Sequence, residues 1–102
     1  MEEKERIELY RKVLETWGVP NQVMMVMEET GEMLNALGKR HRNRATPMEI
    51  ITELADVVIL MEQMAVLYGW ETYKAEKERK LERLKKKLEE GLELIEGNQR
   101  RE

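Results

Sequence analysis

The chain is divided by helix breakers into four segments with the apolar periodicity of amphipathic helices. The breakers are Gly18, Pro20, Pro47 and Gly69. Within each segment apolar residues recur every three or four positions, and no run of alternating β-branched residues indicates a strand. The sequence therefore predicts an all-α fold of four helices.

Capping residues set the limits of these helices. Thr46 can cap the third helix, Pro47 suits its first position, and Glu49 lies where the acid of a capping box belongs. Gly18 follows the first helix closely, and Gly69 allows the turn into the fourth. The predicted helices cover residues 3–16, 20–40, 47–67 and 71–95.

The size and composition of the chain limit its organisation. A chain of 102 residues is long enough for one domain and too short for two. Hydrophobic residues make up 41% and charged residues 38%, as in amphipathic helices around a thin core. We expect one domain over residues 1–96 and a flexible tail over residues 97–102. A second subunit often completes a thin core, and eight methionines favour adaptable helix interfaces, so we expect a homo-oligomer.

The charge pattern and the termini argue against several partners. The net charge is −3, and the Lys and Arg residues of the last third alternate with Glu, so no broad positive field predicts nucleic-acid binding. The N-terminus, MEEKERIELY, lacks the apolar stretch of a signal peptide, and no apolar run approaches the ~20 residues that span a bilayer. We therefore expect a cytoplasmic protein that binds neither nucleic acid nor membrane.

The sequence contains neither Cys nor Ser. This absence excludes thiolate chemistry, Cys-based zinc sites and the serine hydrolase mechanisms. A hydrolase with this sequence has to use an activated water molecule.

Two pairs of acids recur at i and i+3 on successive helices. The second helix carries Glu29 and Glu32, and the third carries Glu53 and Asp56. At about 100° per residue, the two carboxylates of a pair project from one face and can reach a common point. Each pair borders an apolar arc, so antiparallel packing across a short loop would set the pairs opposite one another. The arcs are Val23, Val26, Met33, Leu34 and Leu37 on the second helix and Ile50, Leu54, Val57, Met61 and Met64 on the third.

Four converging carboxylates require a cation, because they repel one another and lose hydration on burial. A set of oxygen ligands without His or Cys selects a hard ion, and Mg²⁺ or Mn²⁺ fits better than Zn²⁺. Such an ion can activate water and neutralise charge on a transferring phosphoryl group. Acid pairs also arise by chance in a chain with 21 acids. Spacing by itself therefore leaves two interpretations open, a metal site and solvated helix rims.

The segments EETGE and ELADV resemble the paired ExxE and ExxD motifs of the MazG-type all-α nucleoside triphosphate pyrophosphohydrolases. Twenty residues separate Glu32 from Glu53, and the resemblance covers about residues 17–83 through QVMMVMEETGEMLNAL and EIITELADVVILMEQMAVLYG. It implies an antiparallel four-helix fold assembled as a homodimer or homotetramer. It also implies Mg²⁺-dependent hydrolysis of ribo- or deoxyribonucleoside triphosphates to the monophosphate and pyrophosphate, a reaction of nucleotide-pool housekeeping. The metal ligands and catalytic residues would be Glu29, Glu32, Glu53 and Asp56, with a metal-bound water attacking the α phosphorus.

The same resemblance implies that basic residues after the second motif bind the phosphates. Lys77, Lys80 and Arg83 recur at three-residue intervals on the fourth helix. A solvated charged face would explain these cations equally well.

Three further residues are candidates for contacts with the base or sugar. Trp17, just before the second helix, can stack on a base, although packing at the helix turn also explains it. Gln22 and Asn35 can hydrogen-bond base or sugar, and exposed polar surface is the alternative for both.

Two alternative functions remain open. Phosphoribosyl-ATP pyrophosphohydrolase is similarly short and helical, but ELADVVIL lacks the aromatic and His residues expected after its second motif. A non-catalytic helical oligomerisation module would use the acids as solvated rims and the fourth helix as a seam. The seam residues are Leu81, Leu84, Leu88, Leu92 and Ile95.

A di-iron site would need Glu-x-x-His pairs, and His41 follows no such glutamate.

Overall fold

The computed structural model is all-helical over the residues that it describes, which are 1–101 for the backbone and 1–97 for the side chains. It contains four α-helices and, within this range, no strand. The predicted all-α class and the number of helices are confirmed. The helices are α1 (Glu3–Trp17), α2 (Val19–His41), α3 (Pro47–Tyr68) and α4 (Trp70–Arg101).

Helix α4 is longer than the sequence predicts. It continues beyond Ile95 to Arg101, so most of the predicted tail, residues 97–102, has a helical backbone. The flexibility of this tail stays a prediction, and its last residue, Glu102, lies outside the described residues. None of the described helices is both long and apolar enough to cross a membrane.

The chain divides into two compact units, one covering Met1–Tyr68 and the other beginning at Gly69. In the first unit α1, α2 and α3 each pack against the other two. The second unit consists of α4. The predicted single domain over residues 1–96 stays a prediction.

The capping box at the start of α3 is confirmed. The backbone N–H of Glu49 donates to Thr46 Oγ1 at 3.2 Å, and the backbone N–H of Thr46 donates to the Glu49 carboxylate at 3.3 Å. Just before it, Arg40 donates from Nη1 to the carbonyl of Ala45 at 3.1 Å. These bonds define the short loop of residues 42–46 between α2 and α3. At the other turn, Gly18 has φ of 89°, a left-handed conformation that favours glycine.

Helices α2 and α3 run antiparallel. Gln22, near the start of α2, bonds to Gln63, near the end of α3, and Glu29 further along α2 meets Asp56 earlier on α3. The short loop enforces this arrangement, because five residues cannot carry the chain back to the other end of a helix.

The predicted apolar arcs of α2 and α3 are wrong in part. Leu34 is 67% exposed and Leu54 is 48% exposed, and both had been predicted to border the core. Leu37 and Met61 are exposed as well. The other six residues of the predicted arcs are half-buried, namely Val23, Val26, Met33, Ile50, Val57 and Met64. Polar side chains share this face, because Gln22 and Gln63 are buried and Glu29 and Glu53 are half-buried.

This difference has a physical cause. Helix α3 has apolar residues on most of its circumference, so helical periodicity alone does not select the face that packs. The polar residues at the α2–α3 contact show which face it is. As a result, Glu29 and Glu53 lie on the packed faces of the two helices, whereas Glu32 and Asp56 are exposed beside them.

An outer stripe of apolar residues remains on α3. It comprises Ile51, Leu54, Val58 and Met61, each about half exposed. The spacing of three, four and three residues is that of a coiled-coil seam.

Helix α1 is attached to α3 by a polar contact. The Tyr10 hydroxyl donates to the Glu62 carboxylate at 2.9 Å, and Arg6 donates to the same carboxylate at 3.3 Å. The Tyr10 side chain is buried, with 3% exposed. Burial and the bond to Glu62 raise the pKa of the Tyr10 hydroxyl, which keeps it protonated as a donor.

Candidate metal centre

Helices α2 and α3 bring three of the four predicted carboxylates together. Glu29, Glu53 and Asp56 each offer one carboxylate oxygen, and these three oxygens lie within 4.8 Å of one another. Glu29 and Glu53 are half-buried, whereas Asp56 is exposed. The i, i+3 spacing on α3 sets Glu53 and Asp56 side by side, and the antiparallel packing sets Glu29 opposite them.

Glu32 lies outside this group of three. Its side chain is exposed, yet its carboxylate is near enough to Glu29 to raise the pKa of that residue. Glu32 therefore lies at the edge of the acidic cluster, and its role as a fourth ligand stays a prediction.

The electrostatics of the cluster are unfavourable without a cation or a proton. Burial raises the pKa of Glu29, and the carboxylates of Glu32, Asp56 and Glu53 raise it further. One oxygen of Glu29 and one of Glu53, Oε2 in each case, are buried without a hydrogen-bond partner. A buried polar atom without a partner is costly.

This donor set fits a hard divalent cation. Three carboxylate oxygens on two helices can share one ion, which would satisfy the two orphaned oxygens and cancel the repulsion. Carboxylate oxygens alone do not distinguish Mg²⁺ from Mn²⁺.

A cavity of about 330 Å³ opens beside the carboxylates. Glu29 and Asp56 form part of its wall, and Trp17 contributes an aromatic ring that is 63% exposed. The cavity thus combines negative charge with an accessible aromatic face. The remaining lining residues are Asn21, Gln22, Met25, Ile59, Leu60 and Gln63.

The three candidates for base or sugar contacts differ in position. Trp17 and Gln22 line this cavity, whereas Asn35 is exposed on α2 and is not part of its lining. The Gln22 side chain is buried and its Nε2 donates to Gln63 Oε1 at 2.7 Å. Substrate contacts by these residues stay predictions.

Sequence reasoning missed two polar residues of the cavity, Asn21 and Gln63. Gln63 follows Asp56 by seven residues on α3, so it lies on the same helix face two turns later. That spacing was a signal that could have found it. Asn21 directly precedes Gln22 in the first turn of α2, and no spacing to the acids marks it.

The three basic candidates lie on α4. Lys77, Lys80 and Arg83 are all exposed, and Lys77 Nζ lies 6.0 Å from the centre of the Tyr73 ring. Their exposure leaves the cationic groups accessible to a ligand. Phosphate binding by these residues stays a prediction.

No match was found when the chain was compared with protein-family models, with curated proteins and with solved structures. The carboxylates, the cavity beside them and the resemblance of the two acidic motifs are therefore the features that indicate a function.

Proposed function

We propose that this protein is a Mg²⁺-dependent nucleoside triphosphate pyrophosphohydrolase of the MazG type. It hydrolyses ribo- or deoxyribonucleoside triphosphates to the monophosphate and pyrophosphate. The observation that carries the proposal is the convergence of Glu29, Glu53 and Asp56 within 4.8 Å beside a cavity that Glu29, Asp56 and an accessible tryptophan line.

Glu29, Glu53 and Asp56 would hold the cation, and Glu32 would complete the set from the edge of the cluster. Bound Mg²⁺ supplies charge neutralisation for the phosphates and acidifies a water molecule. Mn²⁺ is the alternative ion, because it accepts the same oxygen ligands.

The cavity supports the binding of a nucleoside. Its volume of about 330 Å³ is at the lower end of the range for small-molecule sites. Trp17 provides a flat apolar surface on which a base can stack. With the base on Trp17 and the cation at Glu29 and Asp56, the triphosphate would extend from the cavity toward the carboxylates.

Lys77, Lys80 and Arg83 are the proposed phosphate ligands of α4. Exposed ammonium and guanidinium groups bind phosphate oxygens through charge-assisted hydrogen bonds. Replacing Lys77 and Lys80 together by Ala should raise KM for the triphosphate, and replacing Lys86 by Ala provides a control on the same helix.

The outer stripe of α3 supports assembly as a homodimer or homotetramer. Contiguous apolar surface of this kind often marks an interaction site, and the three-four spacing suits the packing of another helix against it. A second copy covering Ile51, Leu54, Val58 and Met61 would complete the thin core.

The same exposed apolar surface favours a second candidate, a non-catalytic oligomerisation module. Such a module should show no stabilisation by Mg²⁺ and should tolerate the loss of Asp56. An enzyme should be stabilised by Mg²⁺ and should lose its activity when Asp56 is replaced.

The test is a screen of ribo- and deoxyribonucleoside triphosphates with Mg²⁺ or Mn²⁺, in which pyrophosphate and monophosphate are quantified. Phosphoribosyl-ATP belongs in the same panel, because its selective hydrolysis would identify the rival enzyme. Glu53→Gln and Asp56→Asn should abolish pyrophosphate release while keeping the fold, and Glu8→Gln, an exposed acid on α1, should change nothing. Full activity in both site variants would refute the proposed centre. Release of inorganic phosphate and diphosphate would refute the proposed bond.

A further inference from the structure

A buried side-chain hydrogen bond joins α2 to α3 beside the carboxylates. Gln22 Nε2 donates to Gln63 Oε1 at 2.7 Å, and the two residues are only 4% and 5% exposed. The nearby core residue Leu60 is buried as well. The bond therefore lies within the contact between the two helices.

The two glutamines share helix faces with the carboxylates. Gln22 precedes Glu29 by seven residues on α2, and Gln63 follows Asp56 by seven residues on α3. Seven residues are about two helical turns, which returns a side chain to nearly the same face. The Gln22–Gln63 bond and the acidic cluster are thus two contacts of one antiparallel seam.

The Gln22–Gln63 bond defines how far α2 is displaced along α3 more strictly than the apolar contacts of this seam do. Apolar side chains accept several registers, because their attraction has no direction. Two buried amides accept one register, because a shift of α2 along α3 removes the hydrogen-bond partner of each amide and leaves it unsatisfied. The carboxylates cannot define the register themselves, because they repel one another.

The register matters for the cluster. A slip by one turn displaces α2 by about 5.4 Å along its axis. This displacement exceeds the 4.8 Å within which the three carboxylate oxygens lie. A one-turn slip would therefore separate Glu29 from Glu53 and Asp56.

We propose that the Gln22–Gln63 hydrogen bond is a register lock, which holds α2 and α3 where Glu29, Glu53 and Asp56 converge. Both glutamines are positioning residues and act through the carboxylates. The inference that the lock serves metal binding rests on the proposed function, whereas the register itself can be measured separately.

The first test compares the wild type with Gln22→Met, Gln63→Met and the double variant. Methionine is unbranched, nearly as long as glutamine and favourable in helices, so the double variant replaces a polar pair by an apolar one of similar shape. Each single variant should be less stable, because it leaves one buried amide unpaired. The double variant should recover its melting temperature and still bind Mn²⁺ at least tenfold more weakly than the wild type, by calorimetric titration. Wild-type affinity in the double variant would overturn the lock, and so would an affinity that merely follows stability across the four proteins.

The second test measures the register without metal. Because the chain has no cysteine, nitroxide labels can be attached through Lys39→Cys on α2 and Ala55→Cys on α3, two exposed positions. Dilution with unlabelled protein leaves only distances within one chain. The label distance should be narrowly distributed with both glutamines present and shifted or broadened in the double Met variant. An unchanged distance distribution in the double variant would overturn the lock. A wild type with a narrow distribution that binds no Mn²⁺ would refute the proposed metal centre, and with it the role of the lock in metal binding.

Discussion

Replacing Glu53 by Gln should stabilise the metal-free protein, although most substitutions destabilise by about 1 kcal/mol. Glu53 is half-buried, and its Oε2 is buried without a hydrogen-bond partner. The substitution keeps the shape of the side chain and removes its charge. The introduced amide can also donate to a neighbouring carboxylate, which turns a repulsive contact into a hydrogen bond.

The distance between Glu53 and Asp56 sets the size of this effect. One carboxylate oxygen of each residue lies within 4.8 Å of the other, and two unit charges at that limiting separation repel by about 0.9 kcal/mol in water and by about 3.5 kcal/mol at an effective dielectric constant of 20. Because Asp56 is exposed, the lower part of this range applies, and we expect a gain of about 1–2 kcal/mol. For a domain of this size, that gain corresponds to a rise of roughly 5–10 °C in Tm.

Thermal unfolding with EDTA and with Mg²⁺ tests this reasoning. Mg²⁺ at 100 times its Kd should stabilise the wild type by about 2.7 kcal/mol, whereas the Glu53 variant should gain much less because it lacks one of the carboxylate ligands. The order of the two Tm values should therefore reverse between EDTA and Mg²⁺, and Glu8→Gln should follow the wild type in both. A Glu53 variant that is less stable in EDTA and responds normally to Mg²⁺ would refute the proposed centre.

Three further substitutions test other parts of the structure. Tyr10→Phe should lower the free energy of unfolding by about 1–3 kcal/mol in urea denaturation, because it removes a hydrogen bond to the charged Glu62. Burial and Glu62 raise the pKa of the Tyr10 hydroxyl. The stability that this residue contributes is therefore complete below about pH 10 and should be lost at higher pH. The Tyr10→Phe variant should not show this loss. Trp17→Ala should raise KM for the triphosphate severalfold and change Tm by little, because the ring is mostly exposed; an unchanged KM would exclude the stacking role. Val58→Lys, in the outer stripe, should shift sedimentation toward the monomer, and an unchanged sedimentation coefficient would show that a second copy does not cover this face.

The candidate site was predictable from the sequence to the extent that it depends on spacing within one helix. The i, i+3 separation of Glu53 and Asp56 places both on one face of α3 wherever that helix packs. The convergence of Glu29 with them needed the further expectation of antiparallel packing, which the short loop made natural. Gln63 was missed, because its seven-residue spacing from Asp56 indicates a shared helix face but does not show that an uncharged amide there pairs with Gln22.

What the sequence determined by itself is local. The four helices and the capping box of Thr46 and Glu49 follow from breakers, caps and periodicity, because each depends on residues within a turn of one another. The face that each helix packs was decided by the tertiary structure. Leu54 was predicted to border the core and is about half exposed, whereas Gln22 is buried and Glu29 is half-buried, because a helix that is apolar on most sides can be packed in several ways. The buried amide bond and the opposed carboxylates depend on how α2 and α3 are aligned, and that alignment is a property of the assembled pair.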